Sequence, residues 1–219
     1  MRQLDRLAQR VYRIPEMILM EHAGTAVAKA ADSFLPRRWR PGEEVLVLAG
    51  GGANGGDGLV AARHFHNRAV PVRVVMVGDS SKVKGAARRN LKIVRRLGIP
   101  FEEVHTHSQW NRSVSSGRRV RLILDALLGT GVQGQVREPV RTAIRWVNRQ
   151  RCPVVAVDLP SGLSSDTGQV FGEAVRACRT VTLGLPKRGL RLGCGPRLSG
   201  RVSVANISLP RILMESAHD

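Results

Sequence analysis

The sequence predicts an α/β protein built on a parallel sheet with helices on both faces. Short runs rich in β-branched residues alternate with longer segments whose apolar residues recur every three or four positions. Four of the short runs end in glycine-rich or polar loops. The 219 residues, 42% of them apolar, are enough to bury a substantial core in one domain of generous size, which excludes a mainly disordered chain.

The elements follow in a regular order. Two helices are predicted within residues 1–34, interrupted at Ile14 and Pro15 because proline lacks a backbone donor. Six strands are predicted at 43–50, 72–79, 121–129, 153–162, 180–186 and 201–210. Helices between them are predicted at 59–69, 82–98 and 138–150. This alternation implies a parallel sheet. Residues 113–117 are a surface turn and not a domain linker, since the alternation resumes directly after them.

The composition is strongly basic. There are 30 arginines and five lysines against 17 acidic residues, so the formal net charge is +18 and the surface attracts polyanions at low salt. The basic residues are spread along the whole chain, and aromatic residues are only 4%, which is poor for stacking on exposed bases. We therefore expect only weak, non-specific binding to nucleic acid. An anionic small molecule such as a dinucleotide is also favoured.

Cysteine usage and hydropathy indicate the compartment. Cys152, Cys178 and Cys194 form an odd set without CxxC spacing, so neither a disulfide framework nor a cysteine zinc site is predicted, and each is expected to be a small buried residue. No apolar run approaches the ~18 residues of a membrane span, and the first residues do not resemble a signal peptide. We expect a soluble, unprocessed protein in the reducing cytoplasm.

The glycine-rich segment 48–65 predicts an anion-binding loop. A strand that ends in glycines and opens a helix exposes backbone N–H groups where a phosphate is favoured. Gly50, Gly52 and Gly55 match GxGxxG, so a dinucleotide-binding dehydrogenase is one interpretation. Asn54 and Asp57 argue against that fingerprint, which has small apolar residues there. A structural alternative is a tight turn with Asp57 as N-cap of the helix.

Polar side chains at three strand ends predict a cation site. Asp125 closes an apolar strand and Asp158 closes another, with Ser161 just after it. A carboxylate at the end of a buried strand is unfavourable unless a cation or hydrogen-bond donors meet it. Together with Asn54, these groups offer hard oxygen ligands, which suit a monovalent or hard divalent cation better than zinc. Asp125 with the neutral oxygens of Asn54 and Ser161 supplies only one carboxylate, which favours a monovalent ion over magnesium. The alternative is that Asp125 only caps the next turn.

Five segments, in chain order, resemble the NAD(P)H-hydrate epimerase family, the YjeF N-terminal domain. They are LMEHAG at 19–24, GGGANGGDGLVAARHF at 50–65, LDALLGTG at 124–131, VVAVDLPSGLSSDTG at 154–168 and TLGLPKRGL at 182–190. The resemblance implies a Rossmann-like three-layer α/β/α sandwich with a mostly parallel central sheet, and a homodimer. It also implies interconversion of the R and S forms of hydrated NADH and NADPH, a repair step that works together with an S-specific dehydratase.

The resemblance further assigns site residues. One potassium ion per subunit would be held by Asn54, Asp125 and Ser161. The substrate-binding positions would be Ala53, Asn54, Gly55, Gly56, Asp57, Gly129, Thr130, Gly131, Val132, Gln133, Gly134, Gln135 and Asp158.

Asp158 is the predicted catalytic residue. In the hydrated cofactor a hydroxyl sits on the ring carbon next to the nitrogen, whose lone pair can expel it as water to give an iminium that water attacks from the other face. We expect Asp158 to protonate the leaving hydroxyl and later to deprotonate the incoming water. Ring opening and reclosure is a competing route, and the sequence leaves both open.

Four positions depart from the family pattern. Ala53 and His22 stand where the family has asparagine, and Ser164 and Cys178 stand where it has aspartate. Ala53 removes one expected hydrogen bond to the substrate. Because the residues of the cation site and the acid/base aspartate persist, we expect retained activity.

Two other functions remain as alternatives. One is a catalytically weak Rossmann-like binding or scaffold protein, for RNA or a nucleotide-like ligand, and the other is a nicotinamide dehydrogenase. The second requires a further substrate domain for which 219 residues leave no length, and the same length predicts an epimerase domain alone, without a C-terminal dehydratase domain.

Lys187 could reach a phosphate, although a surface position is at least as consistent with its sequence context.

Overall fold

A parallel sheet of seven strands lies at the centre of the protein. The structure, a computed structural model, describes residues 2–114, 117–132 and 134–215. The strands are β1 (Glu43–Ala49), β2 (Val72–Val77), β3 (Phe101–Val104), β4 (Arg119–Ala126), β5 (Val154–Val157), β6 (Arg179–Leu183) and β7 (Arg201–Ala205). Their spatial order is β3-β2-β1-β4-β5-β6-β7, and each neighbouring pair is parallel. The predicted α/β fold with a parallel sheet is confirmed.

Helices cover both faces of the sheet. They are α1 (Arg2–Arg10), α2 (Glu16–Ala31), α3 (Ala53–Asn67), α4 (Gly85–Arg96), α5 (His107–Val114), α6 (Val140–Val147), α7 (Gly195–Leu198) and α8 (Arg211–Glu215). The predicted interruption near Pro15 is confirmed, since this residue is the N-cap of α2. Among the described helices, none combines the length and the apolar character needed to cross a membrane.

The core lies on both sides of the sheet, as β1 shows. All seven residues of β1 are buried. Val45, Val47 and Ala49 pack into a cluster with α2, α3 and α4, whereas Leu46 and Leu48 pack on the opposite face with α5 and α6. Successive side chains of a strand point to opposite faces, so the part of β1 that is covered on both sides, residues 45–49, is apolar. This is the three-layer arrangement that the resemblance implied.

Strand β3 was missed in the sequence. It is a four-residue edge strand in which only Val104 is buried, and its sequence FEEV lacks an apolar run. Its Glu102 pairs with Arg73, which is buried in β2 and also pairs with Glu44 of β1. Ion pairs across neighbouring strands therefore add to the apolar contacts of Phe101 and Val104 at this edge of the sheet, and an apolar pattern cannot reveal these pairs.

The glycine-rich loop is shorter than the sequence suggested. Helix α3 begins at Ala53 rather than near residue 59, and its N-cap is Gly52, so the interpretation of Asp57 as N-cap is wrong. The glycines of α3 permit close packing: a Cβ at Gly55 would lie 1.9 Å from the carbonyl oxygen of Gly50. A Cβ at Gly58 would lie 2.6 Å from the side chain of Ala126, so α3 lies tightly against β4.

The strand order locates the ligand-binding edge. The chain runs outward from β1 through β2 to β3 and returns to the other side of β1 as β4. The loops after β1 and β4 therefore diverge and leave a crevice at the carboxyl ends of the strands, where open α/β sheets bind ligands.

Candidate functional site

A cavity of about 430 Å³ occupies this crevice. Its floor is formed by the loops after β1, β4 and β5, and Leu183 of β6 and Lys187 close one side. The first two helices form part of its wall through Asp5 and Gln9 of α1 and Glu16 of α2. The cavity thus draws side chains from widely separated parts of the chain.

Asp158 is held in the cavity wall by three donors on one of its oxygens. Its Oδ1 accepts hydrogen bonds from the backbone N–H of Leu183 at 3.0 Å, from the Thr182 hydroxyl at 3.4 Å, and from the ammonium of Lys187. Within the described residues, Oδ2 receives no hydrogen bond. Asp158 has φ of +66°, an uncommon conformation for a residue with a side chain, which is typical of functional sites. The result is an anchored carboxylate with one oxygen free.

Lys187 forms a buried ion pair with Asp158. The lysine is 6% exposed, and its ammonium also donates to the carbonyl oxygen of Leu183 at 2.8 Å. A surface position for Lys187 is therefore wrong. The sequence signal that could have located it is its place just after β6, the strand that pairs with β5 directly before Asp158.

A connected network joins Asn54, Asp125 and Ser161. The Ser161 hydroxyl donates to Asp125 Oδ1 at 2.6 Å, and its backbone N–H donates to Asp125 Oδ2 at 2.8 Å. The backbone N–H of Leu128 donates to the Ser161 hydroxyl at 2.9 Å, and the Asn54 amide donates to the carbonyl oxygen of Leu128 at 2.9 Å. The loops after β1, β4 and β5 are thereby linked beside the cavity.

Two groups of this network could bind a cation: the buried carboxyl of Asp125 and the amide oxygen of Asn54. Asp125 is fully buried, and its burial raises the pKa of the carboxyl to about 6, against the opposing hydrogen bonds from Ser161 and Leu127. The Asn54 Oδ1 atom is buried without a hydrogen-bond partner among the described residues. A buried oxygen without a partner, such as Asn54 Oδ1, is unusual in folded proteins and is available to a ligand.

A family model described as "YjeF-related protein N-terminus" matches residues 16–189. The chain belongs to this family. The matched range extends from the first residue of α2 to beyond Lys187 and includes each residue of the network above.

Relatives of the YjeF N-terminal family cover the whole domain. The chain is 40% identical to the bifunctional NAD(P)H-hydrate repair enzyme Nnr of Salinibacter ruber, over 99% of this chain and 41% of that protein. It is 34% identical to the NAD(P)H-hydrate epimerase of Oenococcus oeni (90% of this chain, 88% of that protein) and 35% identical to that of Limosilactobacillus reuteri (94% and 92%). The chain thus spans about two fifths of the bifunctional relative.

A solved structure shares the fold of this YjeF N-terminal domain. The crystal structure of the yeast protein ynu0 (YNL200c) aligns with a TM-score of 0.82 and 24% identity, over 98% of this chain and 89% of that chain. The Rossmann-like three-layer class is therefore confirmed.

The structure brings most of the predicted substrate positions of the YjeF N-terminal domain together. Those that line the cavity are Ala53, Asn54, Asp57, Gly129, Thr130, Gly131, Val132 and Asp158. Gly55 and Gly56 are buried in the packing of α3 against the Gly50 carbonyl and Met20. Gly134 and Gln135 are exposed outside the cavity lining. Gln133 lies outside the described residues.

Three of the four departures from the family pattern lie away from the cavity lining. His22 is exposed on α2, the buried Ser164 hydroxyl accepts the backbone N–H of Thr167 at 3.2 Å, and Cys178 donates its thiol to the Val154 carbonyl oxygen. Ala53 alone of the four lines the cavity. Three departures therefore leave the cavity lining unchanged, and all four leave the Asp158–Lys187 ion pair intact.

Sequence reasoning missed the acidic wall of the cavity. Asp5 and Glu16 belong to α1 and α2, which carry no glycine loop or strand end to mark them. Burial raises the pKa of Asp5, and Glu16 accepts the backbone N–H of Ala86 at 3.2 Å. Only the packing of the first two helices over the crevice places these carboxyls in the site.

Proposed function

We propose that this domain is an NAD(P)H-hydrate epimerase, which interconverts the R and S forms of hydrated NADH and NADPH. The observation that carries the proposal is Asp158, with Oδ1 anchored by Lys187 and a free Oδ2 in a cavity at the switch point of the sheet. The epimerase names of relatives that match along most of their own length support the same activity.

The geometry of Asp158 suits proton transfer at the ring carbon that bears the hydroxyl. Departure of the hydroxyl as water leaves a planar iminium, and water that adds to the opposite face inverts the centre. The ammonium of Lys187 and the backbone N–H of Leu183 fix the carboxylate, so its free oxygen can accept a proton from the incoming water. Ring opening and reclosure remains the competing route.

The experiment that tests this function couples the protein to an S-specific dehydratase. Purified R hydrate is supplied with the dehydratase and its nucleotide, with and without this protein, and consumption is followed by chromatography. We expect rapid consumption of all R hydrate when the protein is present and only the slow spontaneous reaction without it. Equal rates in the two reactions would contradict the epimerase proposal.

We further propose that the network at Asn54, Asp125 and Ser161 holds a potassium ion. The residues fit such an ion. Within the described part of the chain, the Asn54 Oδ1 atom lacks a partner, and the fully buried carboxylate of Asp125 has no cationic side chain among its hydrogen-bond partners. When bound, the ion would balance the charge of Asp125 and link the loops after β1, β4 and β5.

Potassium is expected to raise the melting temperature, because an ion that binds only the folded state stabilises it by mass action. Potassium is replaced by a bulky organic cation at constant ionic strength, and unfolding is followed by circular dichroism. Asp125→Ala is expected to abolish the dependence, whereas Asp166→Asn at the exposed surface should retain it. A melting temperature indifferent to potassium, with full activity of Asp125→Ala, would remove the site.

The oligomeric state, functional partner and location of the enzyme are also proposed. We infer a homodimer, measurable by sedimentation, and an S-specific dehydratase as functional partner. The three cysteines are free, which supports a reducing, cytoplasmic location.

Nucleic acid is expected to bind only weakly. If the +18 charge reflects composition alone, binding of labelled duplex and single-stranded oligonucleotides should vanish by ~0.2 M salt and show no sequence preference. Fluorescence anisotropy at two salt concentrations measures this. Salt-resistant or sequence-selective binding would favour the scaffold function instead.

A further inference from the structure

Asp57 is a buried carboxyl that the proposed role of Asp158 leaves unused. It lies in the first half of α3, is 7% exposed and lines the cavity. Within the described residues, its side chain has no hydrogen bond and no ion pair. A buried carboxylate without partners is strongly unfavourable, so a carboxyl in this position is kept neutral by a proton.

The charged groups around Asp57 favour that proton. Those that act on it are Asp158 after β5, Asp5 of α1, Glu16 of α2 and Lys187 after β6. Burial is the main reason that the pKa of Asp57 is raised well above its usual range, and the neighbouring carboxylates add to the rise. Lys187 opposes it, but this cation is paired with Asp158.

The two aspartates of the cavity therefore have different surroundings. Asp158 accepts three hydrogen bonds on Oδ1, one from a cation, and is suited to receive a proton on Oδ2. Asp57 accepts no hydrogen bond from the described residues, and its raised pKa favours the protonated form, which can give up a proton. Two carboxyl groups in environments as different as these are suited to the separate roles of acid and base.

We propose that Asp57 is the proton donor and Asp158 the proton acceptor of the epimerisation, an assignment that rests on the proposed function. The O–H bond of Asp57 breaks and its proton goes to the hydroxyl of the substrate. The C–O bond breaks, water leaves, and the lone pair of the ring nitrogen forms the C=N bond of the iminium. A second water then forms the new C–O bond and gives its proton to Asp158.

The step balances without an oxidant or reductant. One water leaves, one water enters, and one proton moves from Asp57 to Asp158. The product state, with Asp57 ionised and Asp158 protonated, is the starting state for the reverse epimerisation. The same proton thus serves the forward and the reverse epimerisation. In each turnover one carboxyl only donates a proton and the other only accepts one.

The test compares Asp57→Asn with the wild type. An amide keeps the size and can still donate a hydrogen bond, but it cannot give up a proton, so kcat should fall ~10²-fold or more while KM changes only a few-fold. Asp79→Asn, at a partly exposed carboxylate after β2 and outside the cavity lining, is the control and should retain the wild-type rate. Retention of more than about a tenth of kcat by Asp57→Asn overturns the assignment.

A second measurement is independent of activity. Because the pKa of Asp57 is raised in the folded protein, protonated Asp57 stabilises the fold fully at a pH below the ordinary pKa of a carboxyl group. This stabilisation is lost as the pH rises through the raised pKa. The melting temperature of Asp57→Asn relative to wild type should therefore increase with pH. A difference that does not change with pH overturns the neutral state of Asp57 and the assignment with it.

Failure of the inference is distinguishable from failure of the proposed function. A wild-type protein that does not accelerate epimerisation contradicts the function itself. An active wild type with an active Asp57→Asn variant contradicts only the assignment. If the variant does not fold, the wild-type pH profile decides: kcat should fall on the alkaline side as Asp57 loses its proton, and a flat alkaline side overturns the inference.

Discussion

Replacement of Asp158 by asparagine is expected to reduce the epimerisation rate ~10²-fold or more while the protein remains folded. The amide is nearly isosteric with the carboxylate but cannot accept the proton of the incoming water. The hydrogen bond from the Leu183 N–H can persist to the amide oxygen, but Lys187 loses its buried counter-charge, so the melting temperature is expected to fall although the protein remains folded. The rate is measured with R hydrate in the coupled dehydratase assay, and folding by circular dichroism.

Asp166→Asn is the matched control for this prediction. Asp166 lies in the same loop, eight positions further along the chain, but its side chain is exposed and outside the cavity lining. This variant should show the wild-type rate. If Asp158→Asn retained more than about a tenth of the activity, the carboxylate would have no role in proton transfer.

Replacement of Lys187 by methionine is expected to cause a large loss of stability. The lysine and aspartate side chains of this pair are 5% and 13% exposed, so solvent screens them little. Removal of one partner leaves the other charge buried and uncompensated, which costs about 3–5 kcal/mol. For a domain of this size each kcal/mol shifts the melting temperature by about 2–4 °C, so a decrease of roughly 6–20 °C is expected in thermal unfolding.

A double variant separates loss of the ion pair from loss of packing. Lys187→Met combined with Asp158→Asn removes both charges and should be more stable than Lys187→Met alone. Lys92→Met, at an exposed position of α4, is the control and should leave the melting temperature unchanged. An unaltered melting temperature of Lys187→Met would show that the pair adds nothing to stability.

The strand pattern predicted the fold because both faces of the central strands are covered. The apolar runs at 43–50 and 121–129 correspond to β1 and β4, whose buried residues alternate between two apolar layers. The edge strand β3 lacks this pattern and was missed, since its glutamates are satisfied by Arg73 and the N–H of Ser80 rather than by apolar neighbours. Apolar periodicity predicts buried strands and not those held by ion pairs.

The strand ends predicted which loops meet. Asn54, Asp125 and Ser161 follow three different strands, and the shared carboxyl-terminal edge of a parallel sheet places them in one hydrogen-bonded network. The glycines between residues 50 and 58 were interpreted as a phosphate cradle, but at Gly55 and Gly58 they permit the close packing of α3. The sequence shows that these residues are small. Only the contacts in the structure show which neighbouring atoms leave no room for a side chain.

By itself, the sequence determined the parallel α/β sheet, the ligand-binding edge and the aspartates at the strand ends, because these follow from local periodicity and from the geometry common to parallel sheets. The tertiary structure decided that Lys187 is buried against Asp158 and that Asp5 and Glu16 reach the cavity from the first two helices. It also decided that Asp57 is buried without a partner among the described residues. These three facts depend on which distant segments pack together and on how much water their packing excludes. Both the charge of a carboxyl and its capacity to move a proton are set by that environment, which no local pattern of residues encodes.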